Sequence, residues 1–110
     1  MSIAMTTSGI GANRLDLEFC EYQGGRYIQA GITLHYIPNA IFSYHSEVIW
    51  LDIDNYDSAV QKGIQEVINE TNFVGEFILE KVKLHEVNSS FQAFYRVARE
   101  ATFSIVRMSK

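Results

Sequence analysis

The sequence predicts an α+β fold: a four-stranded, mainly antiparallel sheet with two helices on one face, in the order βββαβα. Three observations carry that expectation. Leu15, Leu17 and Phe19 alternate with Asp16, Glu18 and Cys20, the period-two pattern of a strand with one buried face. Val60, Ile64, Val67 and Ile68 recur at helical spacing. The same period returns in Phe91, Phe94, Tyr95, Ala98, Ala101, Thr102 and Ile105, read here as one apolar face.

The composition fits one compact domain. A chain of 110 residues with 47% hydrophobic residues and a single proline has enough apolar material for one core and too little length for two. Residues 14–110 are expected to form that domain, behind a flexible N-terminus, residues 1–13. A net charge of −4 weighs against a dedicated nucleic-acid binder, which needs a basic surface to displace phosphate counterions. Cys20 is the lone cysteine, so no internal disulfide and no cysteine metal pair can form, and no metal or other cofactor is expected. Met1 to Asn13 has neither a basic head nor an apolar run, and no segment approaches the ~20 apolar residues of a bilayer span. A cytoplasmic location without membrane contact is the expectation.

Along the chain, the first strand gives way at Gln23-Gly24-Gly25-Arg26, where two glycines suit the positive φ of a primed hairpin turn. The second strand, about Tyr27 to Ile37, places Ile28, Ala30, Ile32, Leu34 and Tyr36 inward and Gln29, Gly31, Thr33 and His35 outward. Pro38-Asn39 ends it. A third strand is expected from Glu47 to Ile53, with Ile49, Leu51 and Ile53 inward, completing an antiparallel meander. Asp54 or Asn55 then caps a helix from about Tyr56 to Glu70. Gly63 at its centre costs about 1 kcal/mol against alanine, which points to another backbone lying close. Asn72 and Gly75 bracket the exit. A fourth strand, about Phe77 to Val87, points Ile78, Val82 and Leu84 inward. Ser89 with Gln92 reads as a capping box opening the last helix, about Ser90 to Met108.

No catalytic constellation stands out. His45-Ser46 are loop neighbours without an oriented base, and the three histidines and one cysteine have no zinc-site spacing. Asp52 and Asp54 fit helix capping, and the stripe Arg96, Arg99, Arg107, Lys110 fits a solvated helix face. Trp50 falls by alternation on the wet side of the sheet and is a candidate interface residue.

Several stretches in this order resemble one family. Ala59-Val60-Gln61-Lys62-Gly63-Ile64-Gln65-Glu66, Val82-Lys83-Leu84, and His85-Glu86-Val87-Asn88-Ser89-Ser90 with Ala93-Phe94 look like domain IV of translation elongation factor G. Gly24-Gly25-Arg26, with the strand ending near Pro38, resembles that domain's glycine loop and first long strand. The resemblance covers roughly residues 20 to 107. It implies the fold of the second domain of ribosomal protein S5, including a left-handed crossover, and an arm that mimics tRNA and reaches the decoding centre. Carried over residue by residue, Gly24, Gly25 and Arg26 would form one tip loop, and His85, Glu86, Asn88, Ser89 and Ser90 the other. Leu84 runs directly into His85 where the family has a short insertion, and Asn88 stands where the family has aspartate. The chain has no G-x-x-x-x-G-K-[ST] loop, so no GTP binding is expected of it.

Two functional expectations follow. One is a stand-alone, non-enzymatic binding module whose target is the ribosome or a structured RNA. The other is a protein-interaction or homodimerisation module that kept the fold, using Trp50 or an unpaired sheet edge.

Overall fold

The computed structural model describes residues 2–11, 14–23, 26–50, 55–84 and 90–108. Seven elements follow one another: β1 (Ser2–Gly11), β2 (Arg14–Gln23), β3 (Arg26–Ile37), β4 (Ser43–Ser46), α1 (Asp57–Thr71), β5 (Glu76–Lys83) and α2 (Phe91–Met108). The fold is α+β, as expected, with a mixed sheet in the order β1-β2-β3-β5-β4. The neighbours β1–β2, β2–β3 and β3–β5 are antiparallel, and β4–β5 is parallel.

Leu15, Leu17, Ala30, Ile32, Leu34, Tyr36, Phe77 and Leu79 line the inner sheet face. They meet Val60, Ile64 and Ile68 of α1, and Ala93, Phe94, Val97, Ala98, Ala101 and Ile105 of α2, in one core. The expected approach at Gly63 is present. A Cβ there would lie 2.6 Å from the Tyr95 carbonyl oxygen, so the absence of a side chain is what lets the helices touch. Asn72 closes α1 in the left-handed conformation at φ 58°, its N–H donating to the Ile68 carbonyl. Gly75, at φ 138°, lies where a Cβ would run into the Tyr36 ring. Neither described helix is long and apolar enough to cross a membrane.

Several expectations are corrected. The N-terminal residues expected to be flexible form β1, which pairs with β2 from Ser2↔Tyr22 to Gly11↔Arg14 with a bulge between Thr7 and Gly9; the sheet therefore has five strands instead of four. The third strand is not at Glu47–Ile53. Residues 43–46 pair parallel to Glu76–Leu79, and residues 47–50 are not strand, while 51–54 lie outside the described residues. The phase is inverted as well: Val48 and Trp50 pack on the core, and Ile49 is 95% exposed. In β5 a register shift at Thr33/Leu34 turns Phe77 and Leu79 inward and leaves Ile78 outside that buried pair. Ladder irregularities of this kind reset the two-residue alternation.

The helix ends differ too. Tyr56 occupies the N-cap of α1 without a side-chain capping bond, while Asn55 accepts from the Asp57 N–H at 3.0 Å, a local Asx turn. At α2 the Ser90 hydroxyl accepts from the Ala93 N–H at 3.1 Å, so the cap is one residue later than the expected Ser89/Gln92 box; Ser89 lies outside the described residues. The buried face of α2 is Ala93, Phe94, Val97, Ala98, Ala101, Thr102, Ile105 and Val106. Phe91 is 45% exposed and Tyr95 half-buried, because both belong to a neighbouring ridge.

Candidate binding surface

The sheet register decides where the two expected tip loops emerge. β5 ends at Lys83, paired with Gly31 of β3. β2 and β3 stay paired well beyond that point, to Gln23↔Arg26, and β1 accompanies them to Ser2↔Tyr22. From Gly31 to Arg26 this overhang runs about 17 Å at the usual strand rise. The β2–β3 turn and the chain leaving β5 therefore issue at the same end of the sheet. Gly24, Gly25, His85, Glu86, Asn88 and Ser89 themselves lie outside the described residues, and Arg26 is placed as the first residue of β3. Flanking the second loop, Leu84 is 40% exposed, and the Lys62 ammonium sits 5.9 Å from the centroid of the Phe91 ring. An exposed ring with a cation beside it can stack on a planar partner.

The outer sheet face is a set of cross-strand polar pairs. The Arg14 guanidinium donates to both carboxylate oxygens of Glu80, at 2.8 and 3.2 Å, and His35 Nδ1 lies 3.8 Å from the same carboxylate. The hydrogen bond from Arg14 is the main cause holding the Glu80 carboxyl below its ordinary range. Thr33 donates its hydroxyl to Asp16, and Lys83 pairs with Glu18 at 3.1 Å. Gly31 leaves a shallow depression of about 220 Å³ between these pairs. Opposite charges satisfy one another in these pairs, which leaves them little net field of one sign to attract a charged ligand. Among the described residues no group of three histidine, cysteine, aspartate or glutamate side chains could hold a metal ion.

On the helix side two ridges with four-residue spacing face each other, Lys62-Glu66-Glu70 on α1 and Phe91-Tyr95-Arg99-Phe103 on α2. The Tyr95 hydroxyl donates to Glu66, and Arg99 donates to Glu66 at 2.8 Å and to Glu70 at 3.1 Å. Lys62 lies between the Phe91 and Tyr95 rings, and Arg99 between those of Tyr95 and Phe103. The hydrogen bond from Tyr95 is the largest cause depressing the Glu66 carboxyl, and the same bond raises the Tyr95 hydroxyl. The basic stripe expected on α2 is thus partly absorbed: Arg99 stitches the helices together, and Arg107 donates to Ser104. Lys110 lies outside the described residues. The regular spacing was visible in the sequence, but nothing there says that the two ridges meet.

Trp50 is not on the wet sheet face. Its ring stands edge-on to Phe94 at 5.6 Å and to Tyr56 at 6.3 Å, and Tyr56 stacks on Phe94 at 5.1 Å. Its Nε1 is buried without a hydrogen-bond partner among the described residues. The residue expected at an interface instead closes the core beneath the β4–α1 connection. At the start of α1 the Tyr44 hydroxyl donates to Asp57 at 2.7 Å, and burial together with that bond raises the tyrosine strongly.

No family model matches the chain, and no curated protein matches it in sequence. Among solved structures it is similar to a crystal structure of a protein from Thermus thermophilus, with a TM-score of 0.60 and 20% identity. The fold is shared. The similarity covers 90% of this chain and 15% of that one, so the chain spans a small part of the length of the protein it matches.

Proposed function

We propose that this chain is a non-enzymatic binding module of the elongation factor G domain IV type, with the ribosome or a structured RNA as its target. Its contact end is the pole where the β2–β3 turn and the β5–α2 joint emerge. The observation that supports this reading is the register: β5 stops at Gly31↔Lys83, and the hairpin runs on to Gln23↔Arg26. Both stretches that carry the family resemblance thereby leave the sheet at one end, as a two-loop tip requires. The net charge of −4 and the self-paired charges of the sheet face favour recognition by shape over recognition by phosphate attraction.

Co-sedimentation with ribosomes tests the reading. Retention of the wild-type chain at moderate salt is expected, with loss on Gly25→Asp or His85→Ala and no loss on Lys81→Ala. Absence of association, or equal association of all four proteins, overturns it.

A further inference from the structure

Among the described residues the two sides of the sheet have open edges that are built differently. On one side the edge is divided among Arg26–Ala30 of β3, which runs past β5, the four residues of β4, and Glu80–Lys83 of β5, which β4 leaves uncovered on that side. That stretch is short and carries Glu80, Lys81 and Lys83, the usual means of keeping an edge from recruiting another chain. On the other side β1 is the terminal strand over ten residues, with its outer row of backbone N–H and C=O groups unpaired. Its sequence, Ser2-Ile3-Ala4-Met5-Thr6-Thr7-Ser8-Gly9-Ile10-Gly11, contains no charged residue and no proline. The one irregularity, between Thr7 and Gly9, leaves Ser2–Thr7 in unbroken register with β2. The helices do not shield this strand either: α2 packs on β2 and β3, and neither helix makes more than marginal contact with β1.

We propose that the outer edge of β1 pairs with the same edge of a second copy of this chain, antiparallel about a two-fold axis, joining two five-stranded sheets into one. A second copy fits better than an unrelated strand for a reason of charge. Two copies of one strand bring the same charges to the seam, and a residue near the two-fold axis meets its own counterpart, so an edge bearing charges of one sign would repel its own copy. β1 is the long edge that lacks such residues, whereas the open stretches on the other side are each of four or five residues. The edge begins beside the loop pole proposed above, at Ser2↔Tyr22, but the pairing uses the backbone of β1 and not the loops, so either proposal can fail without the other.

Sedimentation velocity on the full chain is expected to give a mass near twice the 12.5 kDa of one copy at high concentration, falling towards a single copy on dilution. The double variant Ala4→Lys, Thr6→Lys should remain a single copy under the same conditions with an unchanged far-ultraviolet spectrum, while Ile41→Lys, in an exposed loop, should dimerise like wild type. Hydrogen exchange on the wild type reads the same interface without mutation. Amides of β1 should slow as concentration rises, and those of β4 should not. A wild type that stays a single copy up to about 1 mM overturns the proposal, as does a dimer that survives both lysines or a β1 indifferent to concentration.

Discussion

The Cα of Gly63 on α1 lies so close to Tyr95 on α2 that a Cβ at residue 63 would stand 2.6 Å from the Tyr95 carbonyl oxygen and 3.2 Å from the Arg99 amide nitrogen. Those are backbone atoms, which cannot rotate away as a side-chain tip can. Alanine at an ordinary helical glycine gains about 1 kcal/mol. Here overpacking costs about 1–3 kcal/mol, so the usual sign should reverse. Gly63→Ala is expected to destabilise the chain by about 1 kcal/mol and Gly63→Val by more, read as a lower urea midpoint at constant slope. Gln61→Ala, on the exposed side of the same helix, should stay within about 0.5 kcal/mol of wild type.

The seam beside Gly63 makes stability depend on pH at both ends. The Glu66 carboxyl is held below its unfolded value chiefly by the Tyr95 hydroxyl, against the opposing effect of burial and with help from the Arg99 and Lys62 charges. A group whose folded pKa is depressed contributes stability that is full above its unfolded pKa, about 4.3, and is lost as pH falls through the folded value. Tyr95 is raised, so its contribution is full below about 10 and is lost as pH climbs through its folded value. Glu66→Gln should therefore flatten the acid side of the urea-midpoint profile, and Tyr95→Phe should flatten the alkaline side as well. Profiles that keep the wild-type shape would show that the seam does not couple to folding.

How much of this was legible follows from which forces are local. The helices were, because Val60, Ile64, Val67 and Ile68 repeat at the helical period whatever they pack against. So was the close approach at Gly63, since a mid-helix glycine has few other uses. The third strand was not: Val48, Ile49, Trp50 and Leu51 are all apolar, and alternation cannot choose a phase where both phases are hydrophobic. The phase at the start of β5 was missed for a different reason, although the strand itself and the inward Val82 were read. Phe77, Ile78 and Leu79 are equally ambiguous, and the register shift against Thr33/Leu34 that settles them is a property of the pair of strands. β1 shows little alternation, and its pairing with β2 depends on a strand that lies beyond the turn. For the candidate pole, the resemblance gives two loops only as expectations, and that the β2–β3 turn and the chain leaving β5 lie at one end of the sheet depends on where β5 stops, which only the sheet register fixes.

Trp50 turns that phase ambiguity into a measurement. As the single tryptophan, half-buried and edge-on to Phe94 and Tyr56, it should emit at short wavelength in the folded chain and shift to the red on unfolding. Trp50→Glu would place a carboxylate against the Phe94–Tyr56 stack and leave a void, so a loss of about 2–4 kcal/mol is expected. That corresponds to a fall in Tm of roughly 10 °C or more. Ile49→Glu, at the neighbouring residue that is 95% exposed, should change Tm by no more than about 3 °C. If the two substitutions had equal effects, the inward phase of Val48 and Trp50 would be wrong.

At the pole, the proposed mode of binding has a signature in salt. A protein that neutralises many phosphates loses affinity with a slope of about 0.7–0.9 per contact on a log–log scale. Arg26 begins β3 at this end, Lys83 ends β5, and Lys62 sits against Phe91, but Lys83 is already paired with Glu18. One or two phosphate contacts are then the most the described pole can offer. Raising salt from about 50 to about 200 mM should weaken association with ribosomes by about three- to twelvefold. Phe91→Ala should weaken it further at every salt concentration without changing the slope, because stacking carries no counterion release. A thousandfold loss over the same salt range would instead mean that a basic surface carries the interaction, and recognition by shape at the two-loop pole would be abandoned.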